Sequence, residues 1–240
     1  MRVIIWSLNL ILWFSISCLS FPYLAQADSG LNIFRSAYDN RYTWNLDFPG
    51  YTGEVAVTFA DKTFSGQVKV NADLSVEVMG IADENIREYV ENTLKMEVIH
   101  RRRVDFDRIH GGKDFEIEAQ EADGVVVIKE LGDEQDSFYR VQNRRIVQVN
   151  RTFEDNVSVT VDTLSTTPIP EGYLASQFKT VFRNAKTQAV EEIETVSDRH
   201  EKVGNYYLLA ERKIESVDPE QKPIQIEIRF QNLQLAKKIK

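Results

Sequence analysis

Alternation of apolar and polar residues dominates the chain from Tyr51 onward and predicts a β-rich protein. Residues 51–59 place an apolar or small side chain at every second position, and the same period returns at 64–71 and 74–78. A period of two is typical of a strand with one buried face. Short polar connections separate the three runs, so they predict three consecutive antiparallel strands.

Two segments follow a helical period instead. Residues 29–40 place Leu31, Phe34 and Tyr38 on one face, with Ser29 able to cap the start. Asp83 can cap a second helix that reaches Val98, and its apolar positions recur every three or four residues. Both helices are therefore expected to lie against the sheet.

The rest of the chain alternates with little interruption. Further strands are predicted at 99–108, 113–120, 124–131, 137–142, 145–154, 156–164, 172–183, 189–200, 206–217 and 224–235. Within this part only 163–172 resembles a linker, so we expect one domain over 28–240. Twist curls a sheet of about a dozen strands. The predicted fold is mainly β (α+β), a single curved antiparallel sheet forming an open half-barrel with two helices.

The stretch "IHRRRVDFDRIH", residues 99–110, concentrates basic residues in an acidic chain. Read as a strand, it places His100, Arg102 and Arg108 on one face. One interpretation is a charged strand at a sheet edge, where such side chains block unwanted pairing. The other makes these three residues an anchor for an anionic group, because arginine binds carboxylate and phosphate through two donors.

The first residues have the layout of an export signal. Arg2 precedes an apolar run that ends at Leu24, and Ala25-Gln26-Ala27 fits a cleavage site. We therefore expect a signal peptide over 1–27 and export to a periplasm or thylakoid lumen. An uncleaved membrane anchor is the alternative, since about 20 apolar residues can span a bilayer.

Composition narrows the function classes. The chain has 240 residues, 42% of them hydrophobic, and a formal net charge of -8. That length can bury a substantial core, whereas the charge argues against nucleic-acid binding. The sequence contains no G-x-S-x-G elbow, phosphate loop or dinucleotide fingerprint, and "HEKVG" at 200–204 lacks the second histidine of a zinc protease. We predict no cofactor, no metal, no catalytic residue and a monomer.

Two groups of residues carry a resemblance to a known family. They are Arg41, Tyr42, Thr43, Trp44, Phe48, Pro49, Gly50 and Tyr51, followed by Gly66, Val68, Val70, His100 and Arg101. In these the chain resembles an exported cyanobacterial family of unknown function, over the whole chain after the leader. The resemblance implies no activity.

A more distant resemblance concerns the order of elements. Helix, strand hairpins, helix and many strands, together with the closing stretch 203–235, look like the LolA and LolB type of lipoprotein carrier. That resemblance implies an open half-barrel whose helix-lidded cavity holds acyl chains. Fold analogy alone is a weak basis for function.

Two hypotheses of function follow. In the first, a non-enzymatic exported protein binds or carries a lipid or other hydrophobic molecule in the concave face of the sheet. The predicted lining is Trp44, Phe48, Tyr51, Val55, Val57, Phe59, Val68 and Val70, although core packing would explain the same residues. In the second, an assembly factor of the envelope or photosynthetic membrane binds a protein partner. A hydrolase remains a third class.

Overall fold

The computed structural model describes residues 29–132, 137–153, 156–217 and 222–237. The predicted signal peptide, 1–27, lies outside these residues. The helices are α1 (Gly30–Asp39), α2 (Glu84–Arg101) and α3 (Phe106–His110). The strands are β1 (Tyr51–Phe59), β2 (Lys62–Val70), β3 (Val76–Met79), β4 (Asp114–Gln120), β5 (Val126–Leu131), β6 (Ser137–Gln142), β7 (Arg145–Thr152), β8 (Val157–Ile169), β9 (Gly172–Asn184), β10 (Val190–Val203), β11 (Tyr206–Val217) and β12 (Pro223–Leu235).

All twelve strands form one antiparallel sheet, in the order β3-β2-β1-β12-β11-β10-β9-β8-β7-β6-β5-β4. The sheet is open, because β3 and β4 stand at its two edges. The predicted fold class, a single large antiparallel open half-barrel, is confirmed. Each neighbour in the sheet is also a neighbour in sequence, with one exception: β1 pairs with β12. That pairing joins the first hairpin of the domain to its last strand.

The two predicted helices are present, and both use the predicted caps. The Asn32 backbone N–H donates to Ser29 Oγ at 3.2 Å, and the Ile86 N–H donates to Asp83 Oδ1 at 3.2 Å. Each cap satisfies a backbone donor that the first helical turn leaves without a partner.

The prediction of a strand over 99–108 is wrong, and with it the prediction of only two helices. Helix α2 continues to Arg101, and the separate short helix α3 follows. The buried face of α2 includes two charged residues, Glu97 before the last buried apolar position, Val98, and Arg101 after it. A search for apolar periodicity therefore ends the helix at Val98, because the next inward position is charged.

All three helices pack on one face of the sheet, here called the inner face. Cross-strand partners in an antiparallel sheet share a face, so the pairing register traces it across the molecule. One row of partners runs Ile128, Tyr139, Val149, Val161, Thr180 and Glu194. Another runs Asp198, Arg212, Ile228 and Val57.

Two separate hydrophobic clusters fill the ends of the inner face. The first lies beneath α2, where Val90 and Leu94 meet side chains of β1, β2, β11 and β12. The second lies beneath α1 and α3, where Phe34 and Phe106 meet Ile128 and Tyr139. The helices thus cover the sheet in two places.

Candidate functional site

Seven of the eight predicted lining residues belong to the first cluster. Trp44, Phe48, Tyr51, Val55, Val57, Val68 and Val70 are each at most 4% exposed and pack beneath α2. Phe59 is 36% exposed at the end of β1 and borders an open groove of about 750 Å³. The structure thus packs these seven side chains into the first hydrophobic cluster.

The aromatic loop between α1 and β1 closes one end of the inner face. Trp44 and Phe48 stack with ring centroids 4.1 Å apart. The Trp44 indole Nε1–H donates to the Tyr207 carbonyl at 3.1 Å, and the Tyr206 hydroxyl donates to Asn45 Oδ1 at 2.9 Å. The loop is thereby fixed to the first two residues of β11.

The predicted anionic anchor is not assembled on a strand. His100 lies in the last turn of α2, and Arg102 caps that helix with its backbone N–H on the Val98 carbonyl. Arg108 lies on α3. All three are exposed, and the common strand face that would have aligned them does not exist.

A buried ionic network connects α2 to the sheet. Arg101 Nε donates to Glu97 Oε1 at 2.8 Å, and His200 Nε2 lies 3.1 Å from the same oxygen. Beside them, Arg212 binds Asp198 through two donors at 2.7 and 2.6 Å. Burial raises the pKa of Glu97, but Arg101 and His200 outweigh it and hold that pKa well below its usual value.

Glu97, Asp198 and His200 also bring three metal-ligand atoms within 4.8 Å of one another. Glu97 Oε1 and both carboxylate oxygens of Asp198 already accept hydrogen bonds from arginines. A divalent cation would meet two guanidinium charges there. We therefore assign this network to anchoring α2 on the sheet.

A second buried network lies beneath α1 and α3. His110 Nδ1 lies 2.6 Å from Glu130 Oε1, and the Tyr139 hydroxyl donates to Glu130 Oε2 at 2.6 Å. Burial raises the pKa of Glu130, but the bonds from His110 and Tyr139 outweigh it and lower that pKa to about 2. Arg151 Nη2 donates to the Tyr139 hydroxyl at 2.6 Å, which brings this network to the middle of the sheet.

Between the two clusters, part of the inner face carries half-buried apolar side chains, which surround the buried Thr180. We call this part the central strip, and it consists of Val149, Val159, Val161, Phe178 and Phe182. Phe178 borders the first cluster and Val149 borders the second, whereas the other three belong to neither. The helices pack chiefly on the flanking strands, α2 on β3 and α1 on β4 to β7.

On the outer face of β7 and β8, polar side chains pair across the strands. Gln148 Nε2 donates to Asp162 Oδ1 at 2.6 Å, and Asn150 Nδ2 donates to Thr160 Oγ1 at 2.8 Å. Along β7 and β8, polar outer-face residues therefore alternate with apolar inner-face residues, as in a strand that has one face turned away from water. The central strip is the apolar face of these strands.

The two sides of the central strip carry opposite charge. Arg151 is the cross-strand partner of Val159 on the β7 side, and Glu192 is the partner of Phe182 on the β10 side. Glu194 lies two residues further along β10 and is half-buried. Burial and the neighbouring Glu192 raise the pKa of Glu194.

Sequence reasoning missed the central strip and both networks. The strip residues were predicted as strand positions. Their apolar pattern is the same whether a helix covers the strand or the strand lies in the gap between two helices, so the sequence does not distinguish the two cases. The networks join residues up to 103 positions apart. The available signal was the charge at Glu97 and Arg101, at helical spacing on an otherwise apolar face.

The fold defines a class: a mainly β protein built as one open antiparallel sheet with helices on its inner face. Within it, the chain belongs to the family described as a protein of unknown function, DUF3386, whose family model matches residues 25–236. The predicted resemblance to a family of unknown function is confirmed. None of the curated proteins matches the chain.

Solved structures give remote likenesses. A DUF1329 family protein from Desulfovibrio piger is 12% identical, with 89% of this chain and 95% of that one covered and a TM-score of 0.34. A LolA superfamily protein from Nitrosomonas europaea is 10% identical, with 88% and 95% covered and a TM-score of 0.31. An outer membrane lipoprotein-sorting protein domain from Vibrio parahaemolyticus is 8% identical, with 88% and 94% covered and a TM-score of 0.26. Such low scores carry no argument about function.

Among the described residues, none of the helices has the length and apolar character needed to cross a membrane.

Proposed function

We propose that this protein is a non-enzymatic binding protein that holds a hydrophobic small molecule or lipid on the central strip. The observation that carries the proposal is the half-buried apolar face between two helix-covered clusters. Burying apolar surface stabilises a complex by about 25 cal/mol per Å². The strip offers such surface without first displacing a helix.

The size of the central strip favours a small molecule over a protein partner. With strands about 4.8 Å apart and about 3.4 Å per residue, the strip measures roughly 10 Å across β7 to β9 and roughly 14 Å along them. A specific protein interface buries about 800 Å² on each partner. The strip is several times smaller, so it suits one acyl chain or a small ring system. An assembly factor would need a second apolar surface.

The proposal includes export. Its support is the leader sequence, in which a basic start, an apolar run and Ala25-Gln26-Ala27 follow in order. A hydrophobic molecule crossing a periplasm or lumen needs a protein that shields it from water.

Binding of the neutral fluorescent probe N-phenyl-1-naphthylamine tests the proposal. Val161→Asp places a carboxylate in the middle of the strip and should weaken binding at least about tenfold, because the charge would lose water on complex formation. Leu164→Asp is the matched control, since Leu164 lies on the same strand and is 54% exposed. Circular dichroism and thermal melts establish that both variants fold.

Two results would refute the proposal. One is wild-type protein that does not raise the fluorescence of the probe. The other is Val161→Asp protein that folds and binds the probe as well as Leu164→Asp does.

A further inference from the structure

We infer that the ligand of the central strip is an anionic amphipath with one apolar chain, and that Arg151 binds its head group. The inference rests on the proposed function and deepens it by naming the ligand class. Its basis is the juxtaposition of a positioned arginine and an apolar floor on the same face of the sheet.

Arg151 stands directly beside that floor. It is the cross-strand partner of Val159, whose other partner is Phe182. A head group at Arg151 would therefore leave its chain lying over Val159 and Phe182, across the strands from β7 toward β10. Arginine suits this position because a guanidinium binds a carboxylate or phosphate in a planar, two-donor geometry.

Buried groups position the guanidinium of Arg151. Its Nη2 donates to the Tyr139 hydroxyl at 2.6 Å, and its Cζ lies 5.7 Å from the Tyr139 ring centroid. The tyrosine is in turn fixed by Glu130, which also accepts from Lys113 Nζ at 3.3 Å. Tyr139 and Glu130 are each 2% exposed. A side chain held this way loses less entropy on binding than a mobile surface arginine would.

Charge on the far side of the strip fixes the orientation of the ligand. Glu192 and Glu194 stand on β10, three strand spacings or roughly 14 Å from β7. Neither carboxylate has an ion pair among the described residues. An anionic head group is repelled there and attracted at Arg151. The strip thus distinguishes the two ends of an anionic amphipath.

Three probes with the same chain test the inference by displacement of N-phenyl-1-naphthylamine: dodecanoate, dodecyl phosphate and the neutral dodecanol. Wild-type protein should bind at least one anion about tenfold more tightly than dodecanol, the range expected for a charge-assisted hydrogen bond. Arg151→Gln should abolish that preference and leave dodecanol binding unchanged. Arg151→Lys should restore part of it.

Arg183→Gln is the matched control. Arg183 pairs with Ser158 on the outer face of the same strands, so its loss should change no affinity. Tighter binding of dodecyl phosphate than of dodecanoate would identify the head group as a phosphate and still support the inference. Equal binding of all three probes, unaffected by Arg151→Gln, would overturn the inference and leave the proposed function standing. Failure of every probe to bind would overturn both.

Discussion

Replacing the buried carboxylate of Glu97 by an amide should destabilise the protein strongly. Its carboxylate is 2% exposed and accepts from Arg101, which is itself 9% exposed, at 2.8 Å. In Glu97→Gln the shape is kept, but Arg101 and the nearby Arg212 stay buried with one negative charge fewer. Removing one partner of a buried ion pair costs about 3 to 5 kcal/mol, because the remaining charge loses its compensation.

The comparison with Glu91 isolates the effect of burial. Glu91 lies on the same helix and pairs with Arg87 and Lys95, but these pairs are exposed to solvent. Exposed pairs contribute about 0 to 1 kcal/mol, so Glu91→Gln should change stability little. Urea unfolding followed by circular dichroism measures both variants. For a domain of this size, a loss of 3 kcal/mol lowers the Tm by roughly 6 to 12 °C.

Because the pKa of Glu97 is held well below its usual value, the wild-type carboxylate keeps its charge in mild acid. The difference between wild type and Glu97→Gln should therefore persist at pH 4. A cost below about 1 kcal/mol at pH 7, or one equal to that of Glu91→Gln, would refute the view that this network anchors α2.

Two further predictions concern the core and the acid stability. Phe48→Ala should lower the free energy of unfolding by about 3 to 5 kcal/mol. Leu46 lies in the same loop but is 91% exposed, so Leu46→Ala should lower it by less than about 0.5 kcal/mol. Equal losses in urea unfolding would contradict the assignment of Phe48 to the core. Glu130 has a folded pKa of about 2 and an unfolded pKa of about 4.3. Its contribution, roughly 3 kcal/mol, is complete above pH 4.3 and is lost as pH falls toward 2. Unfolding measured from pH 5 to pH 2 should show this loss, and Glu130→Gln should flatten it.

The sheet could be predicted from the sequence because strand alternation is a local property. The bounds of β1, β6 and β11 match their predicted ranges. The pattern fails where buried positions are charged, as at Glu97 and Arg101. There the helix is stabilised by a partner on β10 that no local window contains.

The candidate site could be predicted less well, because apolar alternation does not distinguish a core from a binding face. Val57 and Val161 both occupy inward strand positions. Helix α2 covers Val57 completely, whereas Val161 lies in the gap between the two clusters. The difference depends on where the helices dock, which is a tertiary property.

The pairing of β1 with β12 has a consequence for the order of folding. Strands β4 to β12 can form hairpin by hairpin, since each pairs with its neighbour in sequence. The first three strands can form their own hairpins early, but they join the main sheet only through β12. Contacts so distant in sequence form slowly, because closing a long loop costs entropy before the contact is gained. As the chain is synthesised from its first residue, the domain can be completed only after its last strand has been made.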